Sequence, residues 1–212
     1  SHKKAIKAIA EGKFKEEILP VEVKVGKTTE IFDTDEIPRG NVNIEKMGTL
    51  PTVFKKDGTI SAGNSCAFCD AASAMVLMSE EKAESMGVKP MAVIRSYASS
   101  GLDPKYMGLG PVEATNQALK KAGMTLADIE LIELNEAFAA QYLAVEREIK
   151  FDRSITNVHG GAIALGHPVG ATGAKILTTL LYALKTYDKQ IGLATLCIGG
   201  GQGVSVIVER IR

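Results

Sequence analysis

The stretch from Asn157 to Gly173, NVHGGAIALGHPVGATG, constrains this chain more than any other. Glycines at 160, 161, 166, 170 and 173 leave few positions for a regular element. Glycine loses the most conformational freedom on folding, so such a density is expected where main chain turns sharply or approaches a ligand. His167 sits inside the run, directly before Pro168, the only proline between residues 113 and 212. That proline fixes its own φ and biases His167 towards extended backbone, which narrows the directions open to the imidazole. A surface loop with an incidental histidine is the plainer explanation, and the flanking sequence argues against it.

From Met91 onward, strand and helix patterns alternate. A strand at Ala92 to Ser96 precedes a helix opened by Pro111 and closed by Gly123, with Val112, Thr115, Leu119 and Ala122 on one face. Thr125 and Asp128 form a capping-box start to a short turn. A strand over Ile129 to Leu134 runs into Asn135-Glu136-Ala137-Phe138-Ala139-Ala140-Gln141, and the next helix buries Phe138, Tyr142, Val145 and Ile149. A short strand, Ile155 to Val158, delivers the glycine-rich stretch. A helix with Ile176, Leu177, Leu180, Leu181 and Leu184 facing inward follows. Two strands, Ile191 to Ile198 and Val204 to Ile211, end the chain around Gly199 to Gly203. This β-α-β-α-β-α-β-β order predicts an α/β fold, a mixed β-sheet covered by helices and closed by an antiparallel pair.

The first ninety residues are less regular. Residues 3 to 14 read as a basic amphipathic helix with Ala5, Ile6, Ile9 and Ala10 on one side, and Ile18 to Val25 alternates as a half-buried strand does. Thr28 to Ser61, broken by Pro38, Gly40, Gly48, Pro51 and Gly58, predicts a long irregular segment, and such segments are usually functional. Ala71, Ala72, Ala74, Met75, Val76 and Met78 predict a helix apolar on all sides, ended by Gly87 and Pro90.

Lysine plus arginine and aspartate plus glutamate both total 25, so the formal net charge is zero and no basic footprint for nucleic acid exists. No apolar run reaches the ~18 residues of a membrane span. Three cysteines in 212 residues favour reduced thiols and a cytoplasmic setting. The start at Ser1 suggests that the chain begins inside a longer one.

Chemistry-bearing residues converge on element ends. Asn135 follows one strand, His167 precedes a helix, and Cys197 ends another strand beside Gly199 to Gly203. Polar groups at such strand ends tend to line a common crevice. Each has a simpler explanation: Asn135 as a helix N-cap, Cys197 as core, the glycines as a hairpin turn, Met107 as packing. Gly170 to Lys175 is no P-loop, because Ile176 stands where Ser or Thr should hold magnesium. Cys66-Ala67-Phe68-Cys69 has CxxC spacing but no second pair or nearby histidine to complete a zinc site; a redox pair is one option, and two simply buried thiols are the commoner one.

Asn135 to Gln141, Gly160 to Gly173 and Cys197 to Gly203 together resemble the thiolases, the family of acetyl-CoA acetyltransferases and 3-ketoacyl-CoA thiolases. Gly12 to Ile18 and Asp57 to Asn64 resemble further family segments, so the likeness covers the whole chain. It implies a thiolase-like C-terminal domain at 91–212, preceded by a helix at 69–90 that returns to an absent N-terminal domain. Residues 1–68 would then be part of a CoA-binding loop domain. It also implies acyl transfer between CoA thioesters without a bound cofactor or metal. No cysteine here lies in the family's nucleophile context, so the resemblance implies a C-terminal portion that is inactive alone.

By the same resemblance His167 is the base for the missing nucleophile and, with a water held by Asn135, a donor to the enolate oxyanion. Cys197, its thiol pKa lowered by its surroundings, moves the α-proton, and the Gly199 N–H serves an oxyanion. One such oxyanion donor is typically worth ~2.7–4 kcal/mol of barrier. CoA contacts implied are Arg39, Ala62, Cys66, Met107 and Phe138. Cys66, Ala67, Cys69 and Ala71 depart from the usual Ser, Gly, Asn and Gly, which bears on CoA affinity, and His159 stands where Asn is common. Expected partners are acetyl-CoA or acyl-CoA, the N-terminal half, and further copies in a homodimer or homotetramer. A non-catalytic acyl-CoA-binding or assembly subunit is the competing reading. A ketosynthase would want a second histidine where Cys197 stands.

Overall fold

A computed structural model describes residues 1–212. The chain forms helix α1 (His2–Ala10), a hairpin of β1 (Val21–Val25) and β2 (Thr28–Phe32), and two short helices, α2 (Ile44–Gly48) and α3 (Glu80–Ser85). Then come β3 (Ala92–Gly101), α4 (Gly110–Ala122), β4 (Leu131–Leu134), α5 (Ala139–Ile149), α6 (Ala162–Leu165), α7 (Thr172–Thr186), β5 (Ile191–Ile198) and β6 (Gln202–Arg210).

The main sheet has the order β3-β6-β5-β4, with β4 and β5 parallel and the other two pairings antiparallel. Apolar side chains on its two faces meet different helices. Ile132, Leu134, Leu193 and Ile207 pack with Ala118 and Leu119 of α4 and Val145 of α5. Leu131, Ala194 and Val208 pack with Ile176, Leu180, Ala183 and Leu184 of α7. Burying each such aliphatic side chain is worth ~1.5–3 kcal/mol, so the α/β sandwich rests on the periodicities the sequence displays. Several hydroxyl groups that this burial encloses find partners. Ser96 and Ser100 of β3 donate to the Ala118 and Gly110 carbonyls at 2.7 and 2.8 Å. Thr115, Ser205 and Thr195 link hydroxyls at 3.0 and 2.7 Å beneath α4.

Main chains press together where α4 meets β6. A Cβ on Gly203 would lie 2.2 Å from the Gly110 carbonyl carbon, and one on Gly110 would lie 2.2 Å from the Gln202 oxygen. Only glycines allow that contact, which seats the 102–110 segment beside the β5–β6 turn.

Several expectations need correction. Residues 70–79 form no helix; the helix starts at Glu80, with the Ser79 hydroxyl accepting from Lys82 N at 3.2 Å. An all-round apolar run needs cover on every side, and here Val76 is 84% exposed and Leu77 65%. The supposedly irregular 28–61 region contains β2 and α2. β2 escaped the pattern because both its faces are exposed, so no alternation marks it. The strand at 155–158 shrinks to one parallel bridge between Ile132 and Thr156. Beyond it the Asn157 side chain takes over the pairing, accepting from Leu134 N at 2.8 Å and donating to Leu134 O at 2.9 Å. α1 buries Ala5 and Ala8 and leaves Ile6 exposed; Ala5 lies so close to the glycine-rich loop that a Cβ on Gly160 would come within 3.0 Å of its methyl group. That loop itself contains the four-residue α6.

Candidate active site

Parallel pairing sets the site's frame. Leu134 stands opposite Thr195, and Asn135 N donates to Thr195 O at 3.0 Å, so Asn135 and Cys197 leave the sheet at the same edge. Asn135 is 2% exposed and does not cap α5; Phe138 holds that position. The Asn135 Nδ2 lies 3.3 Å from His167 Nε2, and its Oδ1 is buried with no partner.

The other side of the His167 ring fixes its tautomer. Nδ1 lies 2.6 Å from Thr172 Oγ1, whose hydroxyl donates to Pro168 O at 2.9 Å. A hydroxyl that gives its one hydrogen to Pro168 O can only accept from the ring, and this pairing assigns the proton to Nδ1. Nε2 therefore presents a lone pair, and the Asn135 amide donates to it. Burial, and then the nearby Lys175 ammonium, hold the His167 pKa below its ordinary value. The ring is a neutral base at neutral pH.

Cys197 is the penultimate residue of β5 and is 8% exposed. Burial pushes its thiol pKa up, and Cys66 adds to the rise. This corrects the expectation of a lowered pKa: the thiol sits among buried groups rather than beside a cation or helix start. Gly199 is exposed, and a Cβ there would meet nothing within 4 Å, so its main chain is open to a ligand.

The expected CoA contacts divide. Cys66 N donates to Ala137 O at 3.1 Å, and Ser65 bridges to Phe138, so the 65–69 segment lies along the entrance to α5. On its far side Ala67 O accepts from His167 N at 2.8 Å. Phe138 packs edge-on against Phe54 at 5.6 Å. Met107 lies in the 3-10 turn 104–109, whose Gly108 lies against Gln141 of α5. Ala62 opens a short turn capped by Ser61 and is exposed. Arg39 stands apart, exposed, with its main-chain N–H donating to His2 Nδ1 at 3.1 Å.

All three cysteines are free thiols. Residues 66–69 form no turn that would close a CxxC disulfide ring, and Cys69 Sγ lies against Gly166 instead. No group of three or more His, Cys, Asp or Glu is arranged to hold a metal. No helix is long and apolar enough to cross a membrane. Sequence reasoning missed Thr172 and Glu136. The signal for Thr172 was its place five residues after His167 at the first position of α7, within reach of the ring.

An amide, an imidazole and a buried thiol thus gather where β4 and β5 end and the glycine-rich loop leads into α7. Comparison with known proteins gives the family. The thiolase C-terminal domain model matches residues 88–210, and the thiolase N-terminal domain model matches residues 1–81. The chain belongs to the thiolase family. It is 54% identical over its full length to an acetyl-CoA acetyltransferase of Escherichia coli K12, covering 54% of that protein. It is 53% identical over 98% of its length to one from Syntrophomonas wolfei, covering 52% of that protein. The acetyl-CoA acetyltransferase structure from Bacillus anthracis superimposes with a TM-score of 0.97 at 45% identity, over all of this chain and 54% of that one. Human mitochondrial 3-ketoacyl-CoA thiolase in complex with CoA gives 0.91 at 42% identity, over all of this chain and 52% of that one. The chain thus spans about half the length of the curated relatives it matches.

Proposed function

We propose that this chain is the C-terminal portion of a thiolase that transfers acyl groups between CoA thioesters, with acetoacetyl-CoA cleavage or its reverse as the reaction. The observation that carries the reading is the placement of His167, its Nε2 3.3 Å from Asn135 Nδ2 and its Nδ1 2.6 Å from Thr172 Oγ1. A bare, neutral imidazole nitrogen can take the proton of a nucleophilic thiol supplied by polypeptide outside these 212 residues. Once Nε2 holds that proton, two donors, Nε2–H and Nδ2–H, face one another. An oxygen that gains negative charge resolves their repulsion by accepting from both, directly or through a water.

Cys197 is the second acid–base group. Its raised pKa keeps it protonated at rest, suited to giving a proton to the enolate carbon left after C–C cleavage. The Gly199 N–H is the donor assigned to the other oxyanion. Cys66, Phe138, Met107 and Ala62 line the pantetheine path, and Arg39 is assigned to the nucleotide end. In this reading residues 1–68 belong to a CoA-binding loop domain, 69–90 return to the N-terminal domain and 91–212 form the C-terminal domain. The complete protein works in the cytoplasm as a dimer or tetramer.

Acetoacetyl-CoA thiolysis tests the reading. The 212 residues alone are expected to show no turnover, and the polypeptide that adds the nucleophile-bearing half is expected to be active. Robust turnover by the short chain would place the nucleophile within it, and an inert long one would end the thiolase assignment.

A further inference from the structure

We propose that Glu136 is a positioning residue for His167, clamping the glycine-rich loop against the β4 exit through a carboxyl group for which Gly161 makes room. The proposal rests on the thiolase reading above for its kinetic consequence, not for its geometry.

Glu136 follows Asn135 directly and is 7% exposed. Its Oε1 accepts from Asn157 Nδ2 at 3.1 Å and its Oε2 from Ile163 N at 3.1 Å. Asn157, 1% exposed and at φ +47°, is the residue whose side chain pairs with both backbone groups of Leu134. One carboxyl group therefore joins the strand end, the loop's first residue and the first turn of α6.

Gly161 shows how tightly that group is enclosed. A Cβ there would lie 2.4 Å from Glu136 Cδ and 2.7 Å from each carboxyl oxygen, with no other atom as near. The backbone at Gly161 has φ −135°, which any residue adopts, so space rather than conformation demands glycine. α6 carries the constraint onward. Gly166 N donates to Ala162 O at 2.9 Å, and His167 follows with its own N–H on Ala67 O. Asn135 and Glu136 thus fix the histidine from two directions, one at the ring and one at the loop that delivers it.

A purely stabilising clamp would change melting temperature and leave turnover per folded molecule alone. The experiment uses the complete thiolase polypeptide, with Glu136→Gln, Glu136→Ala, Gly161→Ala and the Glu136→Ala/Gly161→Ala double variant. In Glu136→Gln one amide N–H must face either Asn157 Nδ2 or Ile163 N, donor against donor. The expected result is a fall of about 10- to 100-fold in kcat with KM within about threefold, as for a lost or misaligned buried hydrogen bond. The rate of His167 carbethoxylation by diethylpyrocarbonate, mapped by mass spectrometry, should change in the same variants. Gly161→Ala should be damaging alone, yet add less than about twofold to Glu136→Ala, because the group it strikes is gone. Should Glu136→Ala fail to fold, Glu136→Gln and Gly161→Ala carry the test. Folded Glu136→Gln with kcat and His167 reactivity unchanged, or an additive cycle, would overturn the proposal. An unsubstituted protein without thiolase turnover would defeat the functional reading instead, and His167 reactivity would still report on the clamp.

Discussion

His167 Nδ1 lies 2.6 Å from Thr172 Oγ1, and that contact decides which ring nitrogen is available for chemistry. Thr172 is 1% exposed, and its hydrogen is committed to Pro168 O. Thr172→Val keeps the shape and removes the acceptor, leaving a buried Nδ1–H unpaired at a cost of about 1–3 kcal/mol. The ring can recover by moving its proton to Nε2, the wrong face for a base. In the complete protein kcat for acetoacetyl-CoA thiolysis should drop ~10- to 100-fold, while Thr172→Ser stays within about threefold. Steady-state kinetics of the two variants check this, and equal losses in both would show that the hydroxyl is not what matters.

His167 and Cys197, the two groups proposed for acid–base work, have pKa values moved in opposite senses, His167 down and Cys197 up. Depressed below the usual 6.5, His167 stays an unprotonated base at neutral pH, and its function fails only as pH falls further. Raised above the usual 9.0, Cys197 is mostly thiol at neutral pH, and its thiolate becomes more abundant as pH rises. On the proposed role of Cys197, exchange of the acetyl-CoA methyl protons with deuterated water by the complete protein runs through that thiolate. Its rate should climb about tenfold per pH unit from 7 towards 9, since thiolate fraction scales that way below the pKa. Proton NMR of the methyl group measures it, with Cys197→Ala as the blank. A plateau near pH 7 would mean the thiol is already ionised.

The alternation from Met91 to the C-terminus was legible because burial on two faces of one sheet writes periodicity into Val112, Leu119, Ile176 and Leu180. Asn135, His167 and Cys197 were legible as residues at strand and helix ends, the last two close to glycines. The sign of the Cys197 shift was not, because it depends on what surrounds the thiol in space. Glu136 was invisible for a related reason: its partners lie 21 and 27 residues away, at distances that only the fold makes short, whereas Thr172 was overlooked despite standing five residues from His167. Residues 71–78 misled because an apolar run without a period gives no sign of its conformation. His159 is a further case. Fully buried between Phe14 and Tyr187, with both ring nitrogens unpartnered and its pKa lowered to about 4, it is held by packing that no motif announces.

Glu17 offers a stability test on the chain itself. Its Oε1 accepts from Thr179 of α7 at 3.0 Å, and its Oε2 is buried without a partner. Burial lifts its pKa from 4.5 to about 7, against the lowering effects of the Thr179 hydroxyl and Lys175, with Asp35 adding to the rise. Glu133, buried on β4, is likewise raised by burial and then by Glu17, so the two carboxyl groups resist ionising together. A carboxyl group whose folded-state pKa is raised holds its proton more tightly in the fold, so its contribution is complete below about 4.5 and declines as pH rises through about 7. The shift corresponds to a loss on the order of 3 kcal/mol. Glu17→Gln keeps the Thr179 hydrogen bond and cannot ionise. Urea unfolding of the 212-residue chain at pH 5 and pH 8 should therefore show a smaller loss of stability for Glu17→Gln than for the unsubstituted chain. The variant should be the more stable of the two at pH 8, and an unchanged pH dependence would place the titrating group elsewhere.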